Sequence, residues 1–289
     1  MTEIEYQYFE GKFEGYGKLA LFYQSWRPVF CERVIVIAHG MGEHSGRYAN
    51  LIQAFANEGI GFYAYDHRGH GRSKGARGCI KSFHELTEDL RNFLKLVSIH
   101  ENHRPIVLFG HSLGGLISLH YIEEVERRGG VLPSGLILSN PMLKLVLEVP
   151  RWKEAVSGIL SKFLPRLTLS TALDYGLISR DPAVIENVKH DKLSHRRMSG
   201  RFYTEILHAM KSVDANKDLI RVPLLMLLGG NDKIIDSNVS SKFVDEMEWE
   251  CHEKKVYPEL YHELITDIGK EEVLADIKQW LKGLKEDTF

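Results

Sequence analysis

Three cysteines in 289 residues, Cys31, Cys79 and Cys251, are too few and too scattered for a disulfide framework or a metal knuckle. Their odd number points to reduced, packed thiols in a reducing compartment. No apolar stretch approaches the roughly 18 residues that a membrane-spanning helix needs, so any membrane contact is expected to be peripheral. Excess charge is also missing: 37 Lys and Arg against 39 Asp and Glu leave a net charge of −2 and no global attraction for a polyanion. Nucleic acid is therefore not an expected partner. There is no GxxxxGK[ST], GxGxxG or HExxH element, and His39 with His44, or His67 with His70, lack a third ligand at metal spacing. No cofactor and no metal are expected. The opening Met1 to Glu5 is acidic and polar, without the basic start and apolar run of a secretory signal, and the expected location is cytoplasmic.

What is present is a hydrophobic share of 44%, enough for a sizeable core, with no low-complexity tract. From Arg33 onward, short apolar runs alternate with longer stretches of helical periodicity, the pattern of βαβ units and a parallel sheet. Arg33 to Ala38, Gly61 to Tyr65, Pro105 to Phe109, Gly135 to Ser139 and Pro223 to Leu228 read as buried strands, with Lys254 to Tyr257 a weaker sixth. Arg47 to Asn57, Phe83 to Ile99, Leu113 to Arg128, Ser237 to Trp249 and Glu271 to Leu284 carry apolar residues three and four apart and read as covering helices. Ile4 to Phe13 and Lys18 to Trp26 read as antiparallel edge strands, with Gly15 and Gly17 turning between them.

The alternation fails between Pro141 and Val222, where helical segments follow one another without a convincing strand. The expected organisation is one core, 1–140 and 222–289, interrupted by a helical insertion at 141–221. Residues 144–221 hold 14 Lys and Arg but 9 Asp and Glu, so a basic insertion sits on an acidic remainder.

Gly110-His111-Ser112-Leu113-Gly114 fits G-x-S-x-G directly after the strand PIVLF and directly before a helix. A nucleophile on such a turn needs neighbours without a Cβ, because the flanking backbones come close. The bland alternative is an ordinary Ser at a helix N-cap. A serine hydroxyl is a weak nucleophile and needs a base, itself oriented by an acid. Asp232 follows the strand PLLMLL, and His262 lies in the loop after the next strand, in the chain order Ser, Asp, His. Asp236 competes as the acid but looks placed to cap the helix that begins near Ser237. Acyl transfer also needs two amides aimed at a developing oxyanion. Leu113, after the nucleophile, and Met41, in His39-Gly40-Met41-Gly42, are placed to supply them.

HGMGEHSGRY at 39–48, YDHRGHGRS at 65–73, GHSLGG at 110–115, GGND and YHEL occur in that order. The chain thereby resembles the monoacylglycerol lipase and lysophospholipase group of the α/β-hydrolases, from about Arg33 to its C-terminus and most weakly in the insertion. The resemblance implies an α/β-hydrolase fold with a mostly parallel eight-stranded sheet, a helical cap made by the insertion, and no cofactor. It carries over Ser112 as nucleophile, Asp232 as acid, His262 as base, and Met41 with Leu113 as oxyanion donors. It implies that Glu43, Arg47 and His111 touch the glycerol or head group, and that Asp66, Arg68 and His70 make structural hydrogen bonds behind the oxyanion loop.

Leu143 to Val149 and Ile159 to Leu169, broken by Pro150 and Pro165, suggest short apolar helices lining an acyl chain, against the plainer reading that they pack the cap onto the core. Lys189, Lys192, Arg196, Arg197 and Arg201, with His190 and His195, form a basic cluster that is either a solvated face or a site for anionic surfaces or phosphate head groups. The expected substrate is a lipid monoester, with possible peripheral membrane contact through the cap. A lysophospholipase, a broader carboxylesterase or thioesterase, and a binding protein on the same scaffold are the alternatives; oligomeric state is not legible.

Overall fold

The computed structural model describes residues 6–284 apart from 57, 147–157, 159–160 and 172. Eight strands form one sheet: β1 (Gln7–Glu14), β2 (Ala20–Arg27), β3 (Arg33–Ala38), β4 (Ile60–Tyr65), β5 (Ile106–His111), β6 (Gly135–Ser139), β9 (Leu224–Gly229) and β10 (His252–Tyr257). Two further strands, β7 (Thr168–Ser170) and β8 (Arg197–Ser199), pair with each other outside it. The order across the large sheet is β1-β2-β4-β3-β5-β6-β9-β10. β1 and β2 are antiparallel, as is β2 with β4, and every other neighbouring pair is parallel. This is the α/β-hydrolase arrangement expected from the sequence.

The parallel strands β3 to β9 read as continuous apolar runs because both faces are covered. Alternation at period two then divides each strand between two cores. Val34, Val36, Leu108, Leu138 and Met226 face one core, together with α2 (His84–His100) and α3 (Leu113–Arg128). Ile35, Ile37, Phe109, Ile137 and Leu225 face the other, under the short α1 (Ala49–Ala54) and the C-terminal α7 (Lys270–Gly283). The first part of the expected helix at 47–57 is a 3-10 turn, Ser45–Tyr48.

Between β6 and β9 the expectation of helices alone is corrected. α4 (Pro182–His190) and α5 (Gly200–Ala215) are present, but β7 and β8 form a two-stranded antiparallel ladder from Thr168↔Ser199 to Ser170↔Arg197. Three-residue strands carry too little alternation to be legible. α5 turns Phe202, Ile206, Ala209, Met210 and Val213 into the same core as α2 and α3, and so covers the sheet. The segment also docks on loops at the C-terminal ends of the strands: Leu145 bridges Ile235, Asp191 accepts from His44, and the His195 amide donates to Gly42 O at 2.8 Å. Residues 147–149 of the stretch from Leu143 to Val149, and 159–160 of that from Ile159 to Leu169, lie outside the described residues. Of the remainder, Phe163, Leu164, Leu167 and Leu169 are exposed.

Candidate active site

β5 ends at His111 and α3 begins at Leu113, leaving Ser112 alone at the junction with φ 51° and ψ −114°. A positive φ on a residue with a Cβ is strained, and it persists because the surroundings fix it. A Cβ on Gly110 would lie 2.7 Å from Gly115 Cα, and one on Gly114 would lie 1.9 Å from Ala38 O. No side chain fits at either place, which is the physical content of the G-x-S-x-G spacing. Ser112 is 3% exposed, and its amide donates to Ser139 O at 3.0 Å.

Asp232 follows β9. Its Oδ1 accepts from the Ile234 and Ile235 amides at 2.7 and 3.0 Å, which leaves Oδ2 to accept from His262 Nδ1 at 2.7 Å. Burial works to raise the Asp232 pKa, yet His262 and the two amides hold it below the ordinary value. Burial likewise works against a charged His262, but Asp232, then Glu263 and Glu43, outweigh it and raise its pKa. The fixed charges thus favour an imidazolium at this position. The donor role of Nδ1 leaves Nε2 as the basic nitrogen of the neutral ring. Asp236, the competing acid, caps α6 (Ser237–Asp245) by accepting from the Asn238 and Val239 amides at 3.1 and 3.4 Å.

His39 to Gly42, after β3, lies against the Ser112 turn: a Cβ on Gly40 would meet Ser112 Cβ at 3.3 Å. Gly42 has φ 77°, and the His195 carbonyl occupies the space a side chain would need. His39 donates from Nδ1 to Gly40 O at 2.7 Å and accepts at Nε2 from the His67 amide at 3.0 Å, which fixes one neutral tautomer. Leu113, as the first residue of α3, carries one of the four amides that no helix can satisfy from within.

The three residues expected at the head group are joined to this frame. Glu43 is buried and accepts from the Gly40 amide, from Tyr48 Oη at 2.8 Å and from Arg47 Nη1 at 3.3 Å. Arg47 forms a bidentate pair with Glu263, both bonds 2.8 Å, next to His262. His111 donates from Nδ1 to Ser139 O at 3.0 Å, and its ring centroid is 4.8 Å from that of His262. Burial, then repulsion from His262, lowers its pKa to about 4, so at neutral pH it is an uncharged ring with Nε2 left to accept.

The profile of the family described as serine aminopeptidase, S33 (Hydrolase_4), matches residues 31–269. The chain belongs to this α/β-hydrolase family. The monoacylglycerol lipase of Mycolicibacterium smegmatis is 33% identical over 280 residues, covering 94% of this chain and 96% of that protein. An uncharacterized abhydrolase domain-containing protein of Dictyostelium discoideum is 32% identical over 274 residues; the match covers 94% of this chain but only 28% of that protein's length. Among solved structures, the monoacylglycerol lipase of Paleococcus ferrophilus superposes with a TM-score of 0.78 at 31% identity, over 96% of this chain and 100% of that one.

Sequence reasoning passes over two polar residues of this hydrolase. Asn140, at the end of β6, is fully buried at φ 42°; its Oδ1 accepts from the Gly229 amide at 2.8 Å and its Nδ2 donates to His262 O at 2.8 Å. It joins the loop of the acid to the loop of the base. Its signal was an Asn placed between a buried strand and Pro141, where a turn residue tolerates left-handed backbone. Asp267 is also fully buried beyond His262. The DHRGHG loop meets its structural expectation: Asp66 accepts from the Ser45 and Arg72 amides at 2.8 and 2.7 Å, and Arg68 pairs with Asp89 and Glu85. Among the described residues, the group whose ligand atoms converge is His84, Glu88 and Glu124, away from Ser112, with Arg91 paired to both carboxylates.

Proposed function

We propose that this chain is a serine carboxylic ester hydrolase that releases the fatty acid from a single-chain lipid ester, with Ser112, His262 and Asp232 as its triad. The observation that carries the reading is the 2.7 Å pair of Asp232 and His262, whose ring lies 4.8 Å from that of His111, the residue before a serine held at positive φ. In this reading Ser112 Oγ attacks the ester carbonyl while His262 Nε2 takes its proton. The oxyanion is held by the Met41 and Leu113 amides. His262 then returns the proton to the leaving alcohol, and water repeats the sequence on the acyl-enzyme. The monoacylglycerol lipases of M. smegmatis and P. ferrophilus, similar over nearly their whole lengths, support a monoacylglycerol-like substrate.

The segment 141–221 is assigned as the cap, with α5 as its anchor on the sheet. His111 Nε2 is the atom suited to accept from a glycerol hydroxyl, and Glu43 with Arg47 hold the loop and its charge. In the basic cluster, Lys189 and His190 both face Glu186, Arg201 faces Glu205, and Arg196 lies over Tyr175, contacts that support the reading of a solvated face. The apolar residues Phe163, Leu164, Leu167 and Leu169, exposed by 44 to 71%, form the face for peripheral contact with a lipid surface. No described helix is long and apolar enough to cross a membrane.

Incubation with a fluorophosphonate, followed by peptide mass spectrometry, tests the core of the proposal. Covalent capture at Ser112, absent in Ser112→Ala, is expected, with turnover of long-chain monoacylglycerols above that of acetate esters. Each buried CH₂ is worth at most about 0.8 kcal/mol, or up to roughly fourfold in kcat/KM per methylene. A folded protein that resists the probe and turns over neither ester would leave only a binding protein on the scaffold.

A further inference from the structure

We infer that Asp267 is a positioning residue for His262, through which the inserted segment sets where the base stands. This deepens the reading of the site given above and rests on it. β10 ends at Tyr257 and α7 begins at Lys270, so His262 rides on a connection whose amides have no ladder or helix to bond to. Buried backbone groups in such a stretch must find partners in turns, in side chains or in other segments. The Asp267 carboxylate is fully buried and receives five donors from two directions. From its own loop, the Tyr261 amide reaches Oδ2 at 2.8 Å and the Ile268 amide reaches Oδ1 at 2.9 Å. From the inserted segment, the Arg180 amide and Ser179 Oγ reach Oδ1 at 2.7 and 3.1 Å, and Arg180 Nε reaches Oδ2 at 3.2 Å.

Tyr261 immediately precedes His262, so the bond to Oδ2 fixes the peptide from which the base projects. A parallel tie runs from the Glu263 amide to Ile178 O at 2.8 Å. The residues on both sides of His262 are therefore held by 178–180, a segment that contributes nothing to the triad. Burial works to raise the Asp267 pKa, and the amides of Tyr261, Arg180 and Ile268 bring it below the ordinary value, so the carboxylate is ionised and acceptor-only. An amide at this position could accept at one atom only, and its NH₂ would face either Tyr261 N–H and Arg180 Nε–H or, flipped, the Arg180 and Ile268 amides, donor against donor.

Asp267→Asn and Arg180→Ala, each in the full chain, are compared with wild type on p-nitrophenyl acetate and on a long-chain ester. For a misplaced base, Asp267→Asn is expected to lower kcat by about 10- to 100-fold on both esters. KM should stay within about twofold, and capture of Ser112 by a fluorophosphonate should slow in proportion. Arg180→Ala, which removes a partly exposed side chain and leaves the carboxylate its amide donors, should lose about 3- to 10-fold in the same direction. A purely structural role would lower Tm with kcat of the folded fraction unchanged. That result, or a loss confined to KM or to the long-chain ester, would overturn the inference. If Asp267→Asn does not fold, Arg180→Ala decides by the same criteria. Failure of the underlying reading is distinct, since it would appear in the wild type as no ester turnover and no capture, and would remove the inference with it.

Discussion

Ser112 and Phe163 lie in two differently built regions of the molecule. Ser112 is 3% exposed, on a turn between two glycines that admit no side chain, at the end of a strand buried on both faces. Phe163 is 71% exposed on the inserted segment, among other apolar residues that face outward. The first region is over-determined by packing, so a strained backbone can persist there. The second turns its apolar residues to solvent, although the segment that carries it is fixed to the core by α5 and by ties at Leu145, Ile178 to Arg180, Asp191 and His195. Under the proposed function, chemistry belongs to the packed region and selection of substrate to the exposed one.

The sharpest break in that comparison is Ser112→Ala, which removes the attacking atom and little packing. Ester turnover is expected to fall by about 10⁴- to 10⁶-fold, by analogy with removal of a triad serine elsewhere, with Tm nearly unchanged. Wild-type turnover in the folded variant would place the chemistry elsewhere. Asp232→Asn should cost about 10²- to 10⁴-fold in kcat through misorientation of the His262 ring. Asp236→Asn, which alters a helix cap, should cost less than about 1 kcal/mol of stability and little activity. The reverse ranking would exchange their roles.

The pH dependence separates the regions further. Because fixed charge raises the His262 pKa above the ordinary imidazole value of about 6.5, kcat/KM should fall as pH drops through a limb lying above that value. Glu263→Gln removes one of the charges responsible and should move the limb to lower pH. A profile that does not move would remove Glu263 from the electrostatics of the base. Stability follows other histidines. His39, His67 and His70 are held well below the ordinary value by burial, and burial takes His111 and His195 to about 4. Below about pH 6.5 the unfolded chain binds protons at these positions that the fold refuses, so stability should decline from there toward pH 4. Calorimetry across that window checks the sign, and a flat Tm would contradict it.

The smallest effects belong to the exposed face. Phe163→Ser with Leu164→Ser should leave acetate hydrolysis within about twofold and Tm within a few degrees, since surface substitutions rarely exceed about 0.5 kcal/mol. Turnover of a monoacylglycerol presented in vesicles should fall several-fold more. Equal losses on both substrates would end the membrane assignment. Phe163, expected from its composition to line an acyl chain, faces outward; Leu160, with the same expectation, lies outside the described residues.

The sheet was legible because parallel strands covered on both faces must be unbroken apolar runs, as RVIVIA and PLLMLL are. The placement of Ser112, Asp232 and His262 after β5, β9 and β10 was legible because each ends or follows a strand in a set chain order. β7 and β8 were not, since three residues cannot display a period. Asn140 and Asp267 were illegible for another reason. Their partners are 122 and 87 positions away, at His262 and Arg180, and a buried polar residue carries no local mark of what it will bond to. Glu43 and Arg47 were legible as important, but their mutual pairing and Arg47's bond to Glu263 come from the way distant loops meet.

The contact at Gly114 bears on how such a molecule can diverge. A Cβ there would fall 1.9 Å from Ala38 O, so the start of α3 and the end of β3 touch main chain to main chain. The end of β3 and the start of α3 are therefore held together by a contact into which no side chain intrudes. Any residue larger than glycine at 114 must push those two backbones apart. Under the proposed function, leaving group and chain length are free to vary through 141–221, while the turn that carries Ser112 stays fixed against β3.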